Sequence, residues 1–350
     1  MNTRATILLV ALLGVFVMSG PARALPVGTR VEPYATGLSF PIDMAWDRGS
    51  DRVFFTEKNT GKIRVMVGGQ VLARPCVDLA VNSDGERGAA GIVLSPSFDR
   101  NHFLYVSYTN ASPLVDRVTR FTVKRNRCRN ARHIVDGLPA SGPHHHGSHL
   151  DIVGNKLFVT TGDQEDPAVA QDTSNRLGKI LRYNLNGTIP SDNPFGNAVW
   201  SYGVRNPYGL THKPGTSQLF ATDNGENCDD EVNRIVRGGN QGWGPGYECG
   251  TAGVGSDPIA PLFRWTEQIA PTDASWYEGK MASLSGSLFV GDYVNGQLHR
   301  FTLDDAGTQV TAHDIIFDHT GGIVDVSEGP GGWLYFISPA TSAIYRIVPS

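Results

Sequence analysis

Leu157-Phe158-Val159-Thr160, then a polar Gly-bearing turn, then a strand ending at Arg182 between apolar neighbours: this stretch decides the architecture, because the chain repeats it. The apolar-aromatic strand recurs as Val53-Phe54-Phe55-Thr56, Leu104-Tyr105-Val106-Ser107, Leu219-Phe220-Ala221-Thr222, Leu288-Phe289-Val290-Gly291 and Leu334-Tyr335-Phe336-Ile337. The partner strands end at Arg64, Arg120, Arg234, Arg300 and Arg346. Successive arginines lie roughly 46 to 66 residues apart, the length of one four-stranded sheet with its connections. Helix-period patterns are nearly absent. A lone sheet of this kind exposes both faces and an edge, whereas six packed radially bury the faces and leave only short edges. The expected fold is therefore all-β, a six-bladed β-propeller. The last copy ends so close to Ser350 that no outer strand follows it, so Thr29 to Tyr34 is expected to complete the sixth blade and tie the ring shut. The Gly-rich stretch from Gly238 to Gly255 reads as a connection between blades four and five.

Residues 1–24 are set aside as a secretory signal. Arg4 precedes an apolar run from Ile7 to Met18, too short for a membrane span of about 20 residues, and Ala22-Arg23-Ala24 offers a small-residue cleavage site. Residues 25–350 then form one propeller domain in a periplasmic or secreted protein. The formal net charge is −4, and it becomes about −6 without Arg4 and Arg23, which argues against nucleic acid or an anionic membrane as partner. Charged residues are sparse and Gly and Pro plentiful, as suits a turn-rich β domain. Four cysteines in an oxidising compartment favour pairing, and Cys76–Cys128 with Cys228–Cys249 close loops inside or between neighbouring units. No CxxC spacing supports zinc.

In a propeller the connections at one end converge on the central channel. His145 lies just before the third blade, Asp163 just after the Leu157–Thr161 strand, and Arg205 just before blade four, so all three reach one mouth. An imidazole titrates near neutrality and suits a general base. Its companions in His144-His145-His146-Gly147-Ser148-His149 also allow a metal or a solvated role, although three-His ligation needs a bend in the chain. Asp163 either orients the imidazole or is a turn aspartate bonding its own backbone. Arg205-Asn206-Pro207 sets a fixed cation and an amide on a stiffened loop; a blade-sealing arginine is the plainer reading. The oxygen-rich run Thr222-Asp223-Asn224-Gly225-Glu226-Asn227-Cys228-Asp229-Asp230-Glu231 suggests calcium, or simply a solvated acidic turn.

These segments resemble the soluble glucose/sorbosone dehydrogenase family, periplasmic aldose sugar dehydrogenases that use pyrroloquinoline quinone and calcium on a six-bladed propeller. The resemblance rests on Gly178-Lys179-Ile180-Leu181-Arg182 with Gly187-Thr188-Ile189-Pro190-Ser191-Asp192-Asn193-Pro194-Phe195, on Gly203–Leu210, and on Asp229–Asn233 leading to Gly238–Trp243. It implies that His145 removes the anomeric hydroxyl proton of an aldose while hydride passes to the quinone, giving a lactone. It further implies that Asp163 orients the base, that Arg205 and Asn206 contact the cofactor, and that backbone carbonyls of Gly225 and Glu226 hold Ca2+.

Four places depart from that pattern. Glu226 stands where the family usually has proline. Glu86 in Glu86-Arg87-Gly88-Ala89-Ala90 replaces a neutral glutamine near the cofactor. The fifth-blade lysine falls at or near Val294, and the Arg-x-Arg before the sixth blade becomes Gly322-Ile323-Val324-Asp325-Val326. Each lost charge-assisted bond is worth about 1.5–3 kcal/mol. Arg87 and Lys280 are candidate replacements, and Trp265 a candidate sugar platform. The leading expectation is a quinoprotein aldose dehydrogenase, monomeric, passing electrons to a soluble acceptor that the sequence does not specify. The alternatives are a secreted propeller binding module without the quinone and a calcium-dependent lactone hydrolase.

Overall fold

The computed structural model describes residues 25–350, so the leader expected over residues 1–24 lies outside the described residues. After the first strand, β1 (Thr29–Ala35), the chain builds six antiparallel sheets in sequence order. Blade one contains β2 (Pro41–Trp46), β3 (Arg52–Glu57) and β4 (Lys62–Val67), with two-residue strands β5 (Gln70–Val71) and β6 (Val77–Asp78) along its outer edge. Blade two is β7 (Ala89–Leu94), β8 (Phe103–Asn110), β9 (Val115–Lys124) and β10 (Arg127–Pro139); blade three is β11 (Leu150–Val153), β12 (Lys156–Thr161), β13 (Lys179–Asn184) and β14 (Val199–Tyr202). Blade four is β15 (Leu210–His212), β16 (Leu219–Asp223), β17 (Asp230–Ile235) and β18 (Phe263–Trp265); blade five is β19 (Pro271–Tyr277), β20 (Ser287–Asp292), β21 (Gln297–Leu303) and β22 (Val310–Asp318). Blade six is β23 (Asp325–Gly329), β24 (Trp333–Ser338) and β25 (Ala343–Pro349), and β1 pairs with β25 as its outer strand. Only two short α-helices occur among the described residues, α1 (Phe98–Asn101) and α2 (Pro167–Gln171), and no described helix is long and apolar enough to cross a membrane.

The sequence repeat is the second and third strand of every blade. Their register sets an aromatic ring opposite each repeated arginine: Phe55↔Arg64, Tyr105↔Arg120, Phe158↔Arg182, Phe220↔Arg234, Phe289↔Arg300 and Tyr335↔Arg346. These second strands are buried on both faces because each blade is sandwiched between two others, which is why they read as unbroken apolar runs rather than as an alternation. Six separate apolar clusters result, one at each blade-to-blade interface. The one between blades six and one joins Tyr335, Ile337 and Ile344 to Val53, Phe55 and Met44, with Ala35 from the closing strand. A ring left open would lack it.

Both expected disulfides, Cys76–Cys128 and Cys228–Cys249, are present. The Gly238–Gly255 stretch corrects the reading made from sequence: it lies inside blade four, between β17 and β18, rather than between blades. The fourth strand it leads to is three residues long and only half-buried, too short for periodicity to reveal.

Candidate active site

Loops that leave the second strands and loops that enter the first strands meet at one end of the ring. There the segment before β11 runs through three left-handed residues, His145 (φ +57°), Gly147 (φ +59°) and Ser148 (φ +69°). Strain of this kind in non-glycine residues persists only where the surroundings impose it. Glu86 supplies part of that constraint, since its Oε2 accepts from the backbone N–H groups of His145 (2.9 Å) and His146 (3.4 Å). Gly162 supplies another part: a Cβ there would stand 2.0 Å from the carbonyl oxygen of His145. Only glycine lets the two loops approach this closely.

Within this frame His145 Nδ1 lies 2.7 Å from Asp163 Oδ1, and Asp163 is almost fully buried. Oδ1 also accepts from the backbone N–H of Glu165 at 2.9 Å, and Oδ2 accepts from the indole Nε1 of Trp243 at 2.8 Å. A carboxylate held by three N–H donors fixes the imidazole with Nδ1 protonated and leaves Nε2, which has no hydrogen-bond partner among the described residues, as the basic nitrogen. The neighbouring histidines turn to other acids. His144 pairs with Glu165, and His146 with Asp116 and the carbonyl of Gly142. Burial pushes His146 down, but the hydrogen bond and charge of Asp116 outweigh it and raise its pKa. His149 is driven down to about 4 by burial, so it is neutral at physiological pH. The histidine run is thus not a metal cluster; the one described grouping with metal-like spacing, Cys228, Asp229 and Cys249, has both thiols tied up in a disulfide.

Arg205 sits at the same mouth but points away from the main cavity. Its guanidinium donates to the carbonyls of Asn224 (3.1 Å) and Gly225 (2.9 Å) and lies 5.6 Å over the Trp243 ring. Its own carbonyl accepts from Asp163 N at 2.8 Å, so base, acid and guanidinium are linked through Trp243 and one backbone bond. Asp223 receives the backbone N–H groups of Arg205 and Asn206, and burial holds its pKa well above the usual carboxylate range. Asn206 Nδ2 donates to both oxygens of Glu86 (3.2 and 3.3 Å). The carbonyls of Gly225 and Glu226 converge, since the single amide nitrogen of Gln268 reaches both, at 3.4 and 2.5 Å.

Beside this constellation opens a cavity of about 290 Å3, lined by Lys58, Glu86, Asn206 and Asn224 among its polar groups and by Phe40, Tyr293 and Val324 on its apolar wall. Tyr293 and Val324 occupy the two regions where the family's lysine and Arg-x-Arg are expected. Neither candidate replacement reaches the cavity. Arg87 is buried against the carbonyls of Ser141 and Gly142, and Lys280 lies on the Trp333 ring. Lys58, not singled out from sequence, is the cation among the cavity's lining residues, and burial lowers its pKa although Glu86 and Asp84 oppose the shift. It directly follows β3, as Asn224 follows β16 and Tyr293 follows β20, so the repeat register itself marks it. Trp265 packs against Phe263, Phe301 and His299 on the outer strand of blade four, away from the cavity, which removes it as a sugar platform. Trp243, at the end of the Gly238–Trp243 segment, instead buttresses the acid.

The model of the glucose/sorbosone dehydrogenase family matches residues 38–346, nearly the whole described ring. The chain belongs to that family. Among its relatives, the aldose sugar dehydrogenase YliI of Escherichia coli is 26% identical, covering 95% of each chain. Quinoprotein glucose dehydrogenase B of Acinetobacter calcoaceticus is 34% identical over 59% of this chain and 51% of its own. The aldose sugar dehydrogenase of Streptomyces coelicolor, solved in its pyrroloquinoline quinone-bound form, superposes with a TM-score of 0.80 at 26% identity, covering 93% of this chain and 100% of that one. The family's quinoprotein sugar dehydrogenases thus share this ring.

Proposed function

We propose that the protein is an exported, monomeric aldose dehydrogenase that oxidises the anomeric hydroxyl of a sugar to a lactone with pyrroloquinoline quinone. The observation that carries this reading is the dyad: His145 with a free Nε2, held in one tautomer by an Asp163 that is itself held by Trp243 and the Glu165 amide. In this reading Nε2 takes the hydroxyl proton, Asp163 stabilises the imidazolium, and the C1–O bond gains its second bond as C1 loses hydride. The quinone, when bound, supplies the hydride acceptor.

The donor set fits such a group in altered form. Asn206, Asn224 and Lys58 line a cavity of about 290 Å3, and Glu86 is hydrogen-bonded there by the His145 and His146 amides and Asn206 Nδ2 instead of facing the ligand bare. The converging carbonyls of Gly225 and Glu226 suit a hard cation, and Ca2+ would be held there once Gln268 and the Arg205 guanidinium, which also donates to the Gly225 carbonyl, swing away. One ammonium in place of three cations implies weaker, more salt-sensitive quinone binding. Two disulfides accord with an oxidising compartment.

The test is reconstitution of the purified protein with quinone and Ca2+, followed by aldose-dependent reduction of a dye acceptor. Activity that disappears in His145→Ala supports the reading. A second reading, a propeller that binds partners without the quinone, is favoured by the apolar wall formed by Phe40, Tyr293 and Val324. It takes precedence if titration calorimetry detects no quinone binding and no hexose, pentose or disaccharide reduces the dye.

A further inference from the structure

Seven of the chain's 30 lysines and arginines fall between Asp116 and Asp136, a span without a single acid, in a chain whose formal net charge is −4. They lie on β9 and β10, the two outer strands of blade two, and on the turn that joins them. The whole-chain charge, which argues against an anionic membrane, averages over this concentration.

The strand register sharpens the crowding. Arg127 stands directly opposite Lys124, and Arg132 directly opposite Arg120, so two like-charged pairs face each other across one hairpin. Such pairs are destabilising, and an outer strand that needs charge only to keep other strands away can alternate its sign. The protein does not neutralise these charges itself. Among the described residues only Arg117 of the seven forms an ion pair, with Asp136 at 3.0 Å. Arg120 lies over the Phe103 ring, and Arg127 donates to the carbonyl of Pro75. Lys124, Arg125, Arg129 and Arg132 are exposed, as is Arg74, two residues before Cys76. The Cys76–Cys128 disulfide and the bond from Cys128 N to the Cys76 carbonyl at 3.0 Å fasten the hairpin to blade one, so the cations stand on a fixed frame.

The chemistry of the strip selects its partner. Six of the seven cations are arginines, and a planar guanidinium grips phosphate oxygens two at a time. An outermost strand is a ridge, which lies along a plane and offers a flexible polymer no groove. None of the exposed large apolar side chains among the described residues lies on β9 or β10, so contact is by adsorption without insertion. The second strand of blade two, β8, ends at the mouth, and β9 runs away from it to the Arg125–Asn126 turn, so a surface held there leaves the mouth open. At physiological salt exposed charges are screened beyond about 8 Å, and acids on the other blades do not cancel the strip.

We infer that the outer edge of blade two is a docking surface for an anionic phospholipid bilayer, whose headgroup phosphates are bound by Lys124, Arg125, Arg129 and Arg132. This surface stands whether or not the protein is a dehydrogenase.

The experiment sediments the full protein, without quinone, with vesicles of phosphatidylcholine alone and of equal parts phosphatidylcholine and phosphatidylglycerol. The expected result is binding to the anionic vesicles only, released by NaCl at roughly 0.5 M; an uncleaved apolar leader would bind both kinds and resist salt. The triple variant Arg125→Gln, Arg129→Gln, Arg132→Gln should bind about a hundredfold more weakly, at about fivefold for each charge near the surface. A second triple with the same change in charge on blades four and five, Lys213→Gln, Arg237→Gln, Lys280→Gln, should bind as the wild type does. Melting temperatures confirm that both variants fold, and should the first fail to, Arg129→Gln alone decides, with a loss of about fivefold expected. Wild-type protein that ignores anionic vesicles overturns the inference. So does an equal loss in the two triples, or undiminished binding in Arg129→Gln. Retention on immobilised polyuronate or RNA without binding to vesicles is equally fatal, because it makes the strip a polymer site.

Discussion

Asp163→Asn tests the architecture of the base most directly, because the structure fixes how many donors that side chain must accept. Oδ1 takes His145 Nδ1 and Glu165 N, and Oδ2 takes Trp243 Nε1, so every contact is an N–H pointing at oxygen. An asparagine has one acceptor atom. If its oxygen keeps the His145 side, its NH2 group faces the indole N–H, donor against donor, in a place with almost no solvent. The loss is one charge-assisted bond of about 1.5–3 kcal/mol, with the indole N–H left unsatisfied as well. Trp243→Phe alone removes the same bond, so it costs a similar amount in the wild type and much less once Asp163 is asparagine. Urea unfolding of the four proteins in the cycle should give a coupling energy of about 1–3 kcal/mol between the positions. Additivity within about 0.5 kcal/mol would refute the claim that Trp243 holds the acid. In dye reduction, Asp163→Asn should lower kcat far more than it changes KM, since the tautomer of His145 is disturbed and the cavity is not.

Further consequences can be measured separately. Lys58→Gln should weaken pyrroloquinoline quinone binding by about tenfold to a hundredfold and flatten its salt dependence, as read by calorimetry, because Lys58 is the cation lining the cavity. Gly162→Ala should cost about 2–3 kcal/mol in denaturant unfolding, since its Cβ would collide with the His145 carbonyl. Glu231 is pushed up to about 7 by burial despite Asn233 and Arg264. The folded state therefore binds more protons than the unfolded one between about pH 4.5 and 7, and stability falls as pH rises through that window. Glu231→Gln should remove roughly 3 kcal/mol of that fall, and parallel pH profiles for the two proteins would count against it. Deleting the residues through Ala35 should abolish the single cooperative calorimetric transition, because β25 then loses its partner and the sixth interface its cover.

How much of this was written in the sequence depends on burial. The second and third strands were legible in all six blades because both faces are packed and the aromatic and arginine positions recur in register. The outer strands were not: β10 is exposed over most of its length and β18 is three residues long, so neither carries a period, and the Gly238–Gly255 stretch was consequently assigned to the wrong gap. At the site, His145, Asp163 and Asn206 announced themselves by residue type and place, and the structure brings them together with Glu86. The direction in which a side chain leaves its loop was hidden, which is why Arg205 lies against Trp243 instead of the cavity and why Arg87 and Lys280 never reach it. Lys58 could have been found by aligning the blades on their second strands, because the residue after β3 then stands beside Asn224 and Tyr293 without any contact information.

The clasp between β1 and β25 joins residues more than three hundred positions apart, as in the bond from Arg346 to Glu32 with a separation of 314. Contacts of such range cannot form while the carboxyl end is still being made. A nascent chain of this protein therefore leaves the ribosome as an incomplete arc with a lone amino-terminal strand and bare apolar blade faces. Its yield in a cell should depend less on the depth of its native energy well than on how well chaperones shield that arc until the last strand arrives.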